Sequence, residues 1–257
     1  MIDAHYHLDE RAANLRKAWG ILLEQIERNK LNGVQIYHLR NSKFDLNEIR
    51  KLVNASSNIF LNEHIDPTSD DSLELLIEAR NSGSIGIKLH PRIDRYPLSD
   101  ARVERIVEHA SFFGLPISIC SFWDGLWNQY GLTIESYGDL ADKFPNAKFN
   151  WCHFGGIKVL EFMMMLRRRS NVYADISLTQ HYFFGGSIRE DLIYSIESLK
   201  GKRILFGSDY PNSNFATICE SWSSIISRID IANRADIQRK IDFENIIELY
   251  PSFQNTK

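Results

Sequence analysis

The strongest constraint on the fold is a regular alternation of short β-type segments with longer helical segments. Eight segments rich in Ile, Val, Phe and Tyr predict strands, near residues 2–6, 33–39, 58–64, 84–89, 115–121, 147–153, 171–176 and 203–207. Helical spacing of apolar residues predicts helices between them, over about 14–30, 69–80 and 99–110, the last with Ser99 as a candidate N-cap. Such alternation implies parallel strands joined by crossover helices.

The length of the chain favours a closed barrel. Eight strand–helix units fill the 257 residues, and a single (β/α)8 barrel typically needs about 250 residues. We therefore predict an α/β protein, a compact (β/α)8 TIM barrel with few insertions, as one domain over residues 1–257 that ends in a closing helix from Ile241 to Tyr250. The alternative is an open doubly wound sheet, but its G-x-G-x-x-G phosphate fingerprint is missing from the first strand–helix turn.

Composition excludes several other classes of protein. The chain is 44% apolar and 25% charged with a net charge of −3, which is typical of a folded globular protein and not of a disordered one. Three cysteines are too few for a disulfide scaffold. There is no basic stripe beyond residues 167–169, so we expect no nucleic-acid partner. There is also no signal peptide and no apolar run of about 18 residues, which predicts a cytoplasmic protein with reduced thiols and no membrane partner.

Side chains that suit metal binding or proton transfer stand at the ends of four predicted strands. Strand 1 ends in His5-Tyr6-His7, and the two-residue period of a strand places both imidazoles on one side, where they can bind one divalent cation. An isolated H-x-H is common, so this pair alone does not establish a metal site. His90 follows strand 4, His153 follows strand 6 and Asp209 follows strand 8. Because the carboxyl ends of barrel strands form one rim, these groups are expected to converge there.

The motifs at these strand ends resemble the amidohydrolase superfamily, and within it the branch called amidohydrolase 2. The resemblance rests on H-x-H at strand 1, G-I-K-L-H-P at strand 4, C-H-F-G-G at strand 6 and G-S-D-Y-P at strand 8. It implies a (β/α)8 barrel with one divalent metal ion, usually zinc. His5 and His7 would then be ligands, Asp209 a ligand or the proton acceptor for activated water, and His153 a catalytic residue that polarises the substrate or transfers protons.

Strand 5 departs from the family pattern. Relatives commonly end this strand with a metal-binding His, whereas this chain has Cys120 there. A Cys120 thiolate could be a zinc ligand, because zinc binds sulfur well. Alternatively, His5, His7 and Asp209 hold the metal and Cys120 is a bystander, or the site is poor in metal and inactive.

Further residues near the predicted rim are candidates for binding a substrate. Lys88 and His90 share one side of strand 4, and Arg92 follows them. His90 is also compatible with a structural role. The resemblance also allows Lys88 to be carbamylated and to bind metal, as the strand-4 lysine does in binuclear relatives. The strand-5 loop contributes Trp123 together with Asp124 and Trp127, and the strand-7 loop contributes His181. Aromatic groups beside arginines suit a small organic acid. Asp175 near the end of strand 7 is interpreted as a structural acid.

These observations favour an enzyme over a structural protein. The leading prediction is a metal-dependent hydrolase that cleaves a C–N or C–O bond, of amide or lactone type, in a carboxylate-bearing small molecule through metal-activated water. The alternatives are a metal-dependent nonoxidative decarboxylase and a catalytically degenerate barrel that acts as a binding module. A homodimer is also expected, because relatives are often dimers.

Overall fold

Eight parallel strands form the barrel in the computed structural model, which describes residues 1–123 and 130–256. Each strand pairs with the next one along the chain. The strands are β1 (Ile2–Tyr6), β2 (Gly33–His38), β3 (Ile59–His64), β4 (Gly86–Leu89), β5 (Ile117–Cys120), β6 (Phe149–Cys152), β7 (Val172–Asp175) and β8 (Ile204–Leu205).

Hydrogen bonds between the first and last strands close the barrel. The backbone N–H of Ala4 donates to the carbonyl of Phe206 at 2.9 Å, and Asp209 N–H donates to the carbonyl of His5 at 2.8 Å. The predicted (β/α)8 barrel is therefore confirmed, and the open sheet is excluded. β8 is shorter than predicted because Arg203 and Asp209 adopt left-handed backbone conformations on either side of it.

Helices follow the strands on the outside of the barrel, as predicted. They are α1 (Leu15–Asn29), α2 (Leu46–Asn54), α3 (Ser72–Asn81), α4 (Pro91–Asp94), α5 (Ala101–Phe112), α6 (Ile134–Lys143), α7 (Val159–Arg168), α8 (Thr179–Tyr182), α9 (Ile188–Ser198), α10 (Phe215–Arg228), α11 (Ile231–Arg239) and α12 (Asn245–Leu249). None of the helices in the described part of the chain is long and apolar enough to cross a membrane.

Two details of the helices differ from the prediction. The side chain of Asp100, not that of Ser99, caps α5 by accepting a hydrogen bond from the Arg102 N–H, because a carboxylate directly before the first turn reaches the free amides. The closing helix is interrupted: a single π-helical turn over Lys240–Glu244 precedes α12.

The main hydrophobic core lies between the barrel and its helices. Trp151 of β6 and Phe162 of α7 meet edge to face with ring centroids 5.4 Å apart, and both are fully buried. The inside of the barrel is polar instead. The hydroxyl of Tyr37 lies 2.7 Å from that of Ser118, which lies 3.1 Å from that of Tyr250. This polar interior continues upward into the groups at the carboxyl ends of the strands.

Candidate active site

His5 and His7 stand side by side where β1 ends, as the two-residue period predicts. Their ring centroids are 5.3 Å apart. Nε2 of His5 lies 3.4 Å from Oδ1 of Asp209, and Nε2 of His7 lies 3.5 Å from the same oxygen. The structure thus brings the two histidines of β1 and the acid after β8 together. Gly207 permits this approach, because a Cβ atom there would lie 2.8 Å from Cβ of His5.

Hydrogen bonds fix which nitrogen of each ring faces the site. Nδ1 of His5 lies 3.1 Å from Oδ2 of Asp175, and Nδ1 of His7 lies 3.0 Å from the carbonyl of Tyr37. Both partners accept, so each Nδ1 carries the proton and each Nε2 keeps its lone pair. Burial lowers the pKa of His5, against the opposing charge of Asp175, and so favours the neutral ligand form.

The arrangement fits a divalent metal ion. Nε2 of His5 is buried and has no hydrogen-bond partner among the described residues, which is costly unless something else occupies the space beside it. Two ligands bound to zinc at about 2.1 Å with tetrahedral geometry are about 3.4 Å apart, close to the spacing of both imidazoles from Asp209. Donor atoms of His5, His153 and Asp209 also lie within 4.8 Å of one another.

The carboxylate of Asp209 stays ionised. Burial raises the pKa of Asp209, but the neighbouring imidazoles of His7, His153 and His5 outweigh burial and hold that pKa well below its usual range. Its second oxygen, Oδ2, accepts a hydrogen bond from Asn212 at 2.7 Å.

His153 and Asp209 share an unusual backbone conformation. Their φ angles are +70° and +53°, in the left-handed region that costs roughly 1 kcal/mol or more for residues with a Cβ atom. Gly155 follows His153 with φ +79°, and a Cβ atom there would lie 2.3 Å from the ring of Phe162. The tight turn after β6 therefore requires glycine at position 155, and it is the turn that directs His153 into the site.

Asp175 connects His5 with His153, contacts that sequence reasoning missed. It is fully buried, and burial alone would raise its pKa. The charge and hydrogen bond of His5, with the charges of His153 and Lys88, hold the pKa well below the usual range. Asn150 Nδ2 donates to it at 2.9 Å and the backbone N–H of His153 donates at 3.1 Å. Only a general rule could have pointed to Asp175 from the sequence: metal-binding histidines usually donate a hydrogen bond to a carboxylate or carbonyl.

Ser177, also missed from the sequence, orients His153. Its hydroxyl donates to Asp175 and lies 2.9 Å from Nδ1 of His153 and 3.0 Å from Nδ1 of His5. Because the hydroxyl donates to the carboxylate, its lone pairs accept from the imidazoles. The His153 proton is thereby assigned to Nδ1, and Nε2 is left for the site.

Cys120 lies at the end of β5 in register with Cys152 of β6, and both side chains are buried. Burial raises the pKa of Cys120, but a hydrogen bond to His153 and the charges of His153, Arg92 and Lys88 lower it to about 6. Two groups of closely spaced potential metal ligands are found among the described residues, His5-His153-Asp209 and His5-Cys152-Asp175, and neither contains Cys120 or His7.

A cavity of about 780 Å³ opens above these groups. Its lining includes His5, His7, His153 and Asp209, and it also includes Lys88, His90 and Arg92. Phe122 and Tyr182 line it as well, with their rings edge to face at 5.8 Å. The β4 residues predicted to meet a substrate therefore share one cavity with the candidate metal ligands.

Trp123 and His181 do not line this cavity. Trp123 instead pairs through its backbone with Gly156, and its ring lies under Lys158 at 5.9 Å. Both ring nitrogens of His181 are buried without a hydrogen-bond partner. Asp124 and Trp127 of the strand-5 loop lie outside the described residues.

Comparisons with known proteins agree with this geometry. The amidohydrolase family profile of the amidohydrolase 2 branch matches residues 64–251. No curated protein matches the sequence. Among solved structures, an uncharacterized TIM-barrel protein from Bordetella bronchiseptica has a TM-score of 0.80 at 15% identity, with 98% of this chain and 99% of that chain covered.

Two further solved structures are named enzymes. A probable 2-pyrone-4,6-dicarboxylic acid hydrolase from Acinetobacter baumannii, solved with citric acid bound, has a TM-score of 0.70 at 13% identity, with 97% and 98% of the two chains covered. The 5-carboxyvanillate decarboxylase from Sphingomonas paucimobilis has a TM-score of 0.63 at 15% identity, with 98% of each chain covered. At these identities the two enzymes share the fold with this chain. The family profile covers well over half of the sequence, and this protein therefore belongs to the amidohydrolase 2 branch of the amidohydrolase enzymes.

Proposed function

We propose that the protein is a metal-dependent hydrolase that cleaves a C–N or C–O bond, of amide or lactone type, in a small organic acid. The observation that carries the proposal is the unpartnered, buried Nε2 of His5 at 3.4 Å from the ionised carboxylate of Asp209. A neutral imidazole facing a carboxylate across this distance is the donor arrangement that a divalent cation requires.

His5, His7 and Asp209 would hold the metal, most consistently zinc, because two imidazoles and one carboxylate are common zinc ligands. Cys120 is the less favoured fourth ligand, since the groups that lower the pKa of its thiol are chiefly His153, Arg92 and Lys88 rather than His5, His7 or Asp209. When bound, the cation would supply Lewis acidity and lower the pKa of a water molecule towards about 7.

The chain's own residues supply the remaining chemistry. Asp209 would accept the proton of the attacking water, because it is the ionised carboxylate of the cavity nearest both His5 and His7. His153, held through Nδ1 by Ser177, would turn the lone pair of Nε2 towards the substrate and act there as a proton acceptor. Once protonated at Nε2, it would hydrogen-bond to the oxygen on which negative charge develops. Asp175 would keep His5 in the ligating tautomer.

A carboxylate-bearing substrate is supported by the charges at the cavity, where Lys88 and Arg92 both line the wall. Two proteins of the same fold are named for reactions of carboxylated compounds, a pyrone dicarboxylic acid and 5-carboxyvanillate. Nonoxidative decarboxylation is the alternative reaction. It is favoured by the likeness to the 5-carboxyvanillate decarboxylase and by the cationic side chains at the β4 side of the cavity.

Isotope-labelled water separates the two reactions. The purified protein, loaded with zinc, is incubated in H₂¹⁸O with a panel of lactones, amides and hydroxybenzoates. We expect one ¹⁸O atom in the new carboxylate of a lactone or amide product. Release of carbon dioxide without ¹⁸O in the product would instead establish the decarboxylase.

A metal assay tests the third alternative, a degenerate barrel that only binds ligands. We expect one divalent ion per chain after purification without added metal. Protein without metal that also gains none on dialysis against zinc would reject the catalytic proposal.

The expected homodimer and cytoplasmic location stay predictions. Analytical ultracentrifugation tests the first, and cell fractionation tests the second.

A further inference from the structure

Lys88 is a buried lysine with no carboxylate at ion-pair distance among the described residues. Its side chain lies inside the barrel at 1% exposure, yet it lines the cavity. Nζ donates to Sγ of Cys152 at 2.8 Å and lies 4.7 Å from the ring centre of Tyr37. A buried ammonium that is paired with no carboxylate is costly, so its position in the cavity wall indicates that it binds an anion.

The ammonium remains protonated in this environment. Burial lowers the pKa of Lys88, but the neighbouring thiols and the charge of Asp175 raise it above its ordinary value on balance. Burial raises the pKa of Cys152 well above its ordinary value, although the charge of Lys88 and its hydrogen bond oppose that effect. One of the three ammonium N–H groups donates to Cys152, and the geometry leaves the other two for a ligand.

His90 adds a neutral donor beside this charge. Burial and the charge of Lys88 hold the pKa of His90 well below its ordinary value. Its Nδ1 accepts a hydrogen bond from the backbone N–H of Ile93 at 3.3 Å, which places the ring proton on Nε2. Lys88 lies in β4, His90 directly follows that strand, and both line the cavity, so they offer N–H donors to one group.

We propose that Lys88 and His90 form an anion subsite in the cavity, which binds the unreacted carboxylate of the substrate. This inference rests on the proposed function, because it treats His5, His7 and Asp209 as the reacting side. A carboxylate bound by Lys88 and His90 is then not the group that reacts. The subsite therefore selects substrates with a second, neutral reacting group: lactones, esters or amides of acids.

Binding of benzoate and of its uncharged analogue benzamide tests the subsite. Calorimetric titrations are run on the zinc-loaded protein and on chelator-treated protein, so that binding to the metal is separated from binding to Lys88. Lys88→Met is expected to weaken benzoate binding about 10- to 100-fold, because a hydrogen bond to a charged group is lost, and to leave benzamide binding unchanged in both preparations.

A matched control and a second variant keep the test decisive. Lys148→Met removes a lysine that binds the carbonyl of Glu248 at the other end of the barrel and should not alter benzoate binding. Lys88→Gln serves if Lys88→Met does not fold, and His90→Phe should weaken benzoate binding several-fold.

Three outcomes separate the subsite from the reaction. Equal binding of benzoate and benzamide by the unaltered protein, or full benzoate affinity in the Lys88 variants, would overturn the subsite. Lys88-dependent benzoate binding supports it even when no lactone or amide is hydrolysed, and that combination would count against the proposed function alone.

Discussion

The carboxylate of Asp175 lies 3.1 Å from Nδ1 of His5 and is completely buried beneath it. This contact assigns the His5 proton to Nδ1 and turns Nε2 towards Asp209. The contact also joins the two ends of the sheet where the barrel closes, because Asp175 belongs to β7 whereas His5 belongs to β1. The ligating state of His5 is therefore set by a residue that does not itself face the cavity.

Asp175→Asn should weaken metal binding by about 10- to 100-fold, the usual effect of changing a residue that hydrogen-bonds a metal-binding histidine. The substitution keeps the size of the side chain but removes its charge and one of its two acceptor oxygens, so the side chain can no longer accept both from His5 and from the donors at Oδ1. Competition with a chromogenic zinc chelator measures the affinity. Asp142→Asn, which alters an exposed ion pair with Arg169, is the control and should bind zinc as the unaltered protein does. Equal affinity in both variants would show that Asp175 has only a structural role.

His5→Gln and His7→Gln should each reduce the metal content from one equivalent to well below one. Each substitution removes an Nε2 lone pair that lies 3.4 or 3.5 Å from Oδ1 of Asp209. Elemental analysis of protein dialysed against a fixed zinc concentration checks this. His109→Gln is the matched control, because His109 is exposed on α5 and bonds only to its own helix. Full occupancy in both site variants would place any metal elsewhere.

Much of the site follows from the sequence because it depends on local rules. Strand period places His5 and His7 on one side, and the parallel arrangement of strands brings the residues after β1, β4, β6 and β8 to one rim. Those rules need only the strand ends, which Gly, Pro and polar residues mark clearly in this chain.

The contacts that the sequence left open are all between distant segments. Asp175 binds groups from β1 and β6, and no spacing along the chain indicates such a pairing. After β5 the two-residue period no longer applies, so the sequence could not decide which of the neighbouring aromatics faces the cavity. The structure places Phe122 there, while Trp123 pairs with Gly156.

Phe162→Ala should destabilise the protein by about 3–5 kcal/mol, the usual cost of removing a large buried aromatic side chain. Phe162 is fully buried, with its ring 5.4 Å from that of Trp151 and 5.3 Å from that of Tyr137. Phe112→Ala is the matched control, since Phe112 is 83% exposed and its loss should change stability by less than about 0.5 kcal/mol. Urea unfolding followed by tryptophan fluorescence measures both. Similar losses in the two variants would contradict the assigned core.

Cys120→Ser should leave zinc affinity unchanged within about twofold if His5, His7 and Asp209 hold the metal. The expectation rests on the surroundings of the thiol, whose pKa is lowered chiefly by His153, Arg92 and Lys88 rather than by His5, His7 or Asp209. A serine hydroxyl is a much poorer zinc ligand than a thiolate. Chelator competition at neutral pH compares the variant with the unaltered protein, and Cys219→Ser is the control, because Cys219 lies on α10. A loss of zinc affinity of about tenfold or more in Cys120→Ser alone would make Cys120 a ligand, and the site would then be a His-His-Cys-Asp zinc centre.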